Sequence, residues 1–117
     1  MQPVEPSPRI FTYEEALTLF PEVRALTERA VTDAAIIEAQ MLALKGDPSR
    51  RQELEAEYAG AVRGWAKKLL DRGCEVKGLW LVDFDNGEGY YCWKYPEPTI
   101  AFFHDYSSGF AGRTKLP

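Results

Sequence analysis

The chain's 117 residues, 45% of them hydrophobic and 27% charged, hold enough apolar material for one domain with one core. A net charge of -4 and a pI near 5.0 supply no positive field for nucleic acid or acidic lipid, and no apolar run reaches the roughly 18 to 20 residues of a membrane span. The start shows no secretory pattern, and Cys74 and Cys92 form neither a disulfide framework nor a CxxC pair, so a cytoplasmic protein with two free thiols is expected.

Met1–Arg9, with Pro3, Pro6 and Pro8 and almost nothing apolar, reads as a disordered arm ahead of a single domain over residues 10–117. Thr12 and Glu15 have the spacing of a capping box, so a helix starts at Tyr13. Pro21 is placed to end a short first helix, Tyr13–Leu19, and to open a longer one. That longer helix carries one apolar stripe: Val23, Leu26, Ala30, Ala34, Ile37, Met41 and Leu44, each three or four residues from the last. Gly46 stops it, Asp47 caps the next helix and Pro48 supplies its first turn. So short a link folds the chain back as an antiparallel hairpin. The second stripe is Leu54, Tyr58, Ala61, Trp65 and Leu69. Gly60 and Gly64, one turn apart, each cost this helix about 1 kcal/mol against alanine. That implies close approach of another backbone or a ligand-contacting surface. Gly73 ends the helical region, which spans residues 10–72.

Beyond Gly73 the period changes to two: Trp80, Val82 and Phe84 alternate with Leu79, Leu81 and Asp83. Asn86-Gly87 suits a two-residue hairpin loop, which pairs Trp80 with Trp93, Leu81 with Cys92, Val82 with Tyr91 and Asp83 with Tyr90. A four-residue loop through Gly89 changes the partners and keeps the faces. Either way Trp80, Val82, Phe84, Tyr91, Trp93 and Tyr95 share the side packed on the helices, where each large apolar side chain contributes about 1.5–3 kcal/mol on burial. Pro96-Glu97-Pro98 makes the second turn and Thr99–His104 the third strand. A three-residue loop sets His104 opposite Tyr90, so that Asp83, Tyr90 and His104 form a polar row on the face away from the helices. Leu81, Cys92, Ile100 and Phe102 share that face, which is too apolar to stand bare. Either the tail from Asp105 to Pro117 covers it, using Phe110, or a second copy does. A homodimer is expected, with the sheet or the long helices as its surface. The fold class is α+β: a short N-terminal helix, a long antiparallel helical hairpin, then, in residues 73–117, a three-stranded antiparallel β-meander and an irregular C-terminal tail.

Two blocks stand out beyond these patterns. One is Phe11-Thr12, Glu14-Glu15-Ala16 and Pro21-Glu22-Val23-Arg24. The other is Val82-Asp83-Phe84, Cys92-Trp93, Glu97, Ile100, His104 and Gly109-Phe110-Ala111-Gly112-Arg113. Together they resemble a family of small uncharacterised prokaryotic proteins, the domain of unknown function 2203. The resemblance implies a prokaryotic, cytoplasmic, single-domain protein and carries no activity with it. It nominates Asp83, Cys92, Glu97, His104 and Arg113 as the residues to ask about.

Two chemistries compete. His104, Asp83 and Tyr90 are the catalytic candidates, a histidine base oriented by a carboxylate. Arg113, Glu97, Cys92 and Gly112 are the candidate binding set for an anionic small molecule, through the planar fork of Arg113 and the backbone N–H groups around Gly112. Against this stands the reading of His104 as a strand-end histidine satisfied by a carboxylate, and of Phe110 as a plug for the sheet. No nucleophile elbow, phosphate loop or catalytic spacing accompanies the row, so enzymatic activity stays open. One histidine without paired ligand spacing leads to an expectation of no metal, Asp83 and Asp85 make no better magnesium site, and no cofactor is expected. The few Lys and Arg of the sheet region argue against nucleic acid. The favoured reading is a non-enzymatic cytoplasmic binding or assembly module that self-associates. The alternative is a small enzyme or ligand-binding protein with a His/Asp/Arg pocket.

Overall fold

In the computed structural model, which describes residues 9–117, two long helices lie on one face of a five-stranded antiparallel sheet ordered β1-β2-β3-β4-β5. Apart from Arg9, the expected N-terminal arm lies outside the described residues. Helix α1 runs Tyr13–Ala43 without interruption, so there is no separate short helix before Pro21. Its capping box forms as expected: Glu15 N–H donates to Thr12 Oγ1 at 3.1 Å, and Thr12 N–H to Glu15 Oε1 at 2.8 Å. A proline inside a helix costs about 3 kcal/mol. Here Ala16 and Phe20 before it and Val23 after it are buried in the same core, which holds both halves of α1 on one surface.

Helix α2, Pro48–Asp71, begins on Asp47, whose carboxylate accepts the Arg50 N–H at 3.1 Å, and it turns back along α1. Thr27, absent from the apolar stripe, sits between the two helices. It accepts the Trp65 indole N–H at 2.8 Å while donating to the Val23 carbonyl at 2.8 Å. Gly60 and Gly64 seat no neighbouring backbone: a Cβ at either would meet nothing within 4 Å among the described residues, and both line a groove of about 190 Å³ along the hairpin. Gly60→Ala and Gly64→Ala are therefore expected to raise stability by about 0.5–1 kcal/mol each in urea unfolding. A loss at either site would mean the groove holds something that excludes a methyl group.

The sheet is larger than the sequence suggests. Its strands are β1 (Glu75–Gly78), β2 (Leu81–Asp85), β3 (Gly89–Lys94), β4 (Phe102–Asp105) and β5 (Thr114–Lys115). Strand β1 joins β2 through a tight turn in which Trp80 takes a left-handed φ of 59°, and its ring packs edge-on against Trp65 at 4.9 Å. The β2–β3 hairpin uses the four-residue loop. Asn86 N–H donates to the Gly89 carbonyl at 2.9 Å, and the partners are Val82 with Trp93, Asp83 with Cys92, Phe84 with Tyr91 and Asp85 with Tyr90. Tyr90 is thus not opposite Asp83. The faces survive the shift, and Val82, Phe84 and Trp93 are buried in the core, with Trp80, Tyr91 and Tyr95 packed against it.

Strand β4 starts at Phe102, not at Thr99, and sets His104 opposite Tyr90 as expected. Ile100 lies ahead of the ladder and is buried among the helix-facing residues, not on the outer face. The Tyr13 hydroxyl donates to its carbonyl at 2.8 Å. The tail is not irregular throughout: after a short turn at Phe110–Gly112, β5 pairs with β4.

Candidate functional site

Strands β2, β3 and β4 present their outward side chains on the face away from the helices. Direct pairing puts Asp83 opposite Cys92, and Cys92 opposite Phe102, two residues before His104. The result is a cluster inside the molecule: Asp83 and Cys92 are 0% exposed and His104 is 4% exposed. Their Oδ, Sγ and ring nitrogen atoms lie within 4.8 Å of one another.

The proton positions follow from the partners. His104 Nδ1 is 2.7 Å from the backbone carbonyl of Asp105, which can only accept, so Nδ1 carries a proton and donates it. His104 Nε2 faces Asp83 Oδ2 at 2.9 Å, and one proton is shared across that contact. The other carboxylate oxygen, Oδ1, is buried with no hydrogen-bond partner among the described residues. Burial raises the Asp83 pKa above the ordinary carboxylate value, against the opposing pull of Cys92 and His104. Burial, reinforced by the Asp83 charge, pushes the Cys92 thiol up to about 12, with Arg113 pulling the other way. Burial likewise lifts Cys74, in the helix-facing core, to about 12.

The remaining nominated residues continue the line across the sheet. Arg113 Nη1 donates to Glu97 Oε1 at 2.9 Å, and its guanidinium lies 4.1 Å from the Phe102 ring centre and 4.2 Å from that of Phe110. Glu97 Oε1 also accepts the Lys94 N–H at 2.7 Å, so this carboxylate ties the second turn to the tail. The tail thereby covers part of the outer face with Arg113, while Phe110 remains 43% exposed. Gly112 packs against Ser108, and its N–H and that of Arg113 are spent on the Gly109 and Phe110 carbonyls within the turn. Those two groups are not free to hold an anion.

Tyr90 bonds neither Asp83 nor His104. Its ring lies against His104 at 5.3 Å and its hydroxyl donates to Glu75 at 3.3 Å, with Lys77 Nζ at 3.4 Å. Glu75, Lys77 and Tyr106, whose hydroxyl bonds Asp85 at 2.8 Å, were not singled out in the sequence. Glu75 and Lys77 lie on β1, where a single large apolar residue, Val76, is too little to mark a strand in the sequence.

These features define a class: a helical hairpin laid on an antiparallel β-meander, with a buried Asp/Cys/His cluster on the sheet's far face. The family model described as "Uncharacterized conserved protein (DUF2203)" matches residues 9–116, and the chain belongs to that family. No curated protein and no solved structure matches it.

The cluster's chemistry sets a pH dependence. With both thiols at about 12 in the folded protein, a thiol-specific disulfide reagent at pH 8 is expected to label neither Cys74 nor Cys92 until denaturant is added. Above about pH 9 the unfolded chain releases these protons while the folded chain keeps them, so stability falls as pH rises toward 12. Rapid labelling of the native protein would contradict the burial described here.

Proposed function

We propose that this protein is a non-enzymatic cytoplasmic assembly module that self-associates through the distal half of its helical hairpin. The observation that carries this is the hairpin's lack of cover. The core shared with the sheet reaches only as far as Ala30 on α1 and Val62 on α2, whereas α1 continues to Ala43. The radius of gyration is 16.5 Å, against about 13 Å for a compact chain of this length. Beyond the core, among the described residues, each helix has one neighbour, the other helix. Leu42 is 87% exposed, and on the same side of α1, at helical spacing, stand Val31 and Ala35. A groove of about 250 Å³ there is lined by Glu38, Met41, Leu42 and Arg51. An apolar floor between an acid and a base is self-complementary under a two-fold axis, and two hairpins so paired make a four-helix bundle.

The sheet face is the weaker candidate surface, since Arg113 and the tail already lie over part of it. The alternative of a pocket for an anionic small molecule has less support, because the Arg113 charge is met by Glu97. Sedimentation velocity at micromolar concentration should give twice the 13.3 kDa chain mass. Leu42→Glu should return the protein to a monomer with its circular dichroism unchanged. A wild-type chain that stays monomeric up to about 100 μM, a concentration at which even a weak dimer is populated, sinks the reading.

A further inference from the structure

We infer that Asp83, Cys92 and His104 form a binding site for one zinc-class divalent transition metal on the outer face of the sheet. The three side chains come from three adjacent strands and supply one oxygen, one sulfur and one nitrogen donor. That set suits zinc and its neighbours and does not suit magnesium or calcium, which take oxygen.

The geometry agrees at each donor. Bonds of about 2.0–2.3 Å place tetrahedral ligand atoms about 3.3–3.6 Å apart. The three donor atoms lie within 4.8 Å of one another, with His104 Nε2 and Asp83 Oδ2 at 2.9 Å, so small rotations close a coordination sphere. The His104 Nδ1–H donates to the Asp105 carbonyl at 2.7 Å, which fixes the ring with Nε2 facing the other donors. This is the outer-shell bond that metal-ligating histidines make. Beyond this geometry, Asp83 Oδ1 is a wholly buried carboxylate oxygen without a hydrogen-bond partner among the described residues. A buried carboxylate left half-satisfied is unusual in a folded protein, and a cation beside it supplies what the hydrogen bonds do not.

Charge balance also favours the site. Without metal, the Asp83–His104 pair shares one proton and Cys92 holds another, so the cluster is neutral as a whole. Metal binding leaves Asp83 and Cys92 as anions and His104 neutral, and both protons go to solvent. One dication replaces two protons, and the buried net charge does not change. Three protein donors leave a fourth position, with Tyr90 beside His104 and Arg113 beside Cys92.

The test uses the full chain, free of any affinity tag and stripped with a chelator. Adding zinc(II) should raise Tm by on the order of 10 °C once free metal exceeds Kd a hundredfold, with one equivalent bound and about two protons released into weak buffer. Cobalt(II) should give a thiolate-to-metal charge-transfer band that survives Cys74→Ser and disappears in Cys92→Ser. Asp83→Asn should lose the Tm rise. Magnesium(II) and calcium(II) should do nothing. A wild-type chain with neither the Tm rise nor the cobalt band overturns the site, and so does a rise that persists in both Asp83→Asn and Cys92→Ser. The wild-type cobalt spectrum decides the matter even if a variant fails to fold.

Discussion

Trp93→Ala is expected to cost about 3–5 kcal/mol of folding free energy, a large share of the roughly 5–15 kcal/mol that holds such a domain together. Trp93 is fully buried, and its ring meets Phe20 of α1 edge-on at 5.2 Å and Tyr95 at 6.2 Å. It is therefore the contact through which the sheet grips the first helix near Pro21. Truncation empties a volume that Phe84 and Val82 cannot refill, being fixed on the neighbouring strand. It also removes the indole N–H that donates to the Glu97 carbonyl at 2.8 Å. Glu97 in turn holds the Lys94 N–H and Arg113, so the damage reaches the tail. Urea unfolding followed by far-ultraviolet circular dichroism measures the loss. Leu79→Ala, at a turn position 45% exposed, is the control and should change stability by about 0.5 kcal/mol or less. A Trp93→Ala loss no larger than the control's would mean that the core is centred elsewhere.

The same residue shows why the sheet's faces were legible before its register. The Asn86-Gly87 pair suggests the shorter loop, but Asn86 Oδ1 accepts the N–H groups of both Glu88 and Gly89 at 2.9 Å, which stabilises the four-residue turn. Changing the loop by two residues slides one strand past the other while preserving parity. Trp93 therefore faces the helices in either register, and only its partner changes, from Trp80 to Val82.

Parity also brought His104 onto the face that carries Asp83, the part of the cluster readable from alternation. The same alternation put Cys92 on that face, but Glu97 and Arg113 came only from the family resemblance, and nothing in the chain's own pattern links those two. Their link depends on the tail folding back as β5, a two-residue strand that exists because β4 offers it hydrogen bonds. Strand β1 is similar: in Glu75–Gly78 only Val76 is a large apolar residue, and no local alternation marks it. Pro21 misled in the opposite direction. The local rule that a proline ends a helix was outweighed by Phe20 and Val23, whose burial on either side of it is a tertiary fact.

His104→Ala and Asp83→Asn, measured in the metal-free protein with chelator present, are expected to differ sharply although they break the same contact. Removing His104 leaves the Asp83 carboxylate wholly buried with only the Cys92 thiol beside it, because Oδ1 finds no partner among the described residues even in the wild type. Breaking a buried charge pair from one side costs about 3–5 kcal/mol. In Asp83→Asn the amide N–H can donate to His104 Nε2, because Nδ1 already carries the ring proton for the Asp105 carbonyl. The charge and its desolvation disappear together, and the change should stay within about 1.5 kcal/mol. The pH dependence separates the two further. The Asp83 pKa is raised in the folded state, so as pH falls from neutral toward the unfolded value near 4 the folded chain takes up the proton first and stability recovers. The His104→Ala deficit should therefore shrink toward about pH 4, whereas Asp83→Asn should show no such recovery. Combining the two changes should cost less than the sum, with a coupling of about 2 kcal/mol or more. Equal, pH-independent losses from both single variants would mean that the buried pair holds no shared proton and that Asp83 sits there for its shape alone.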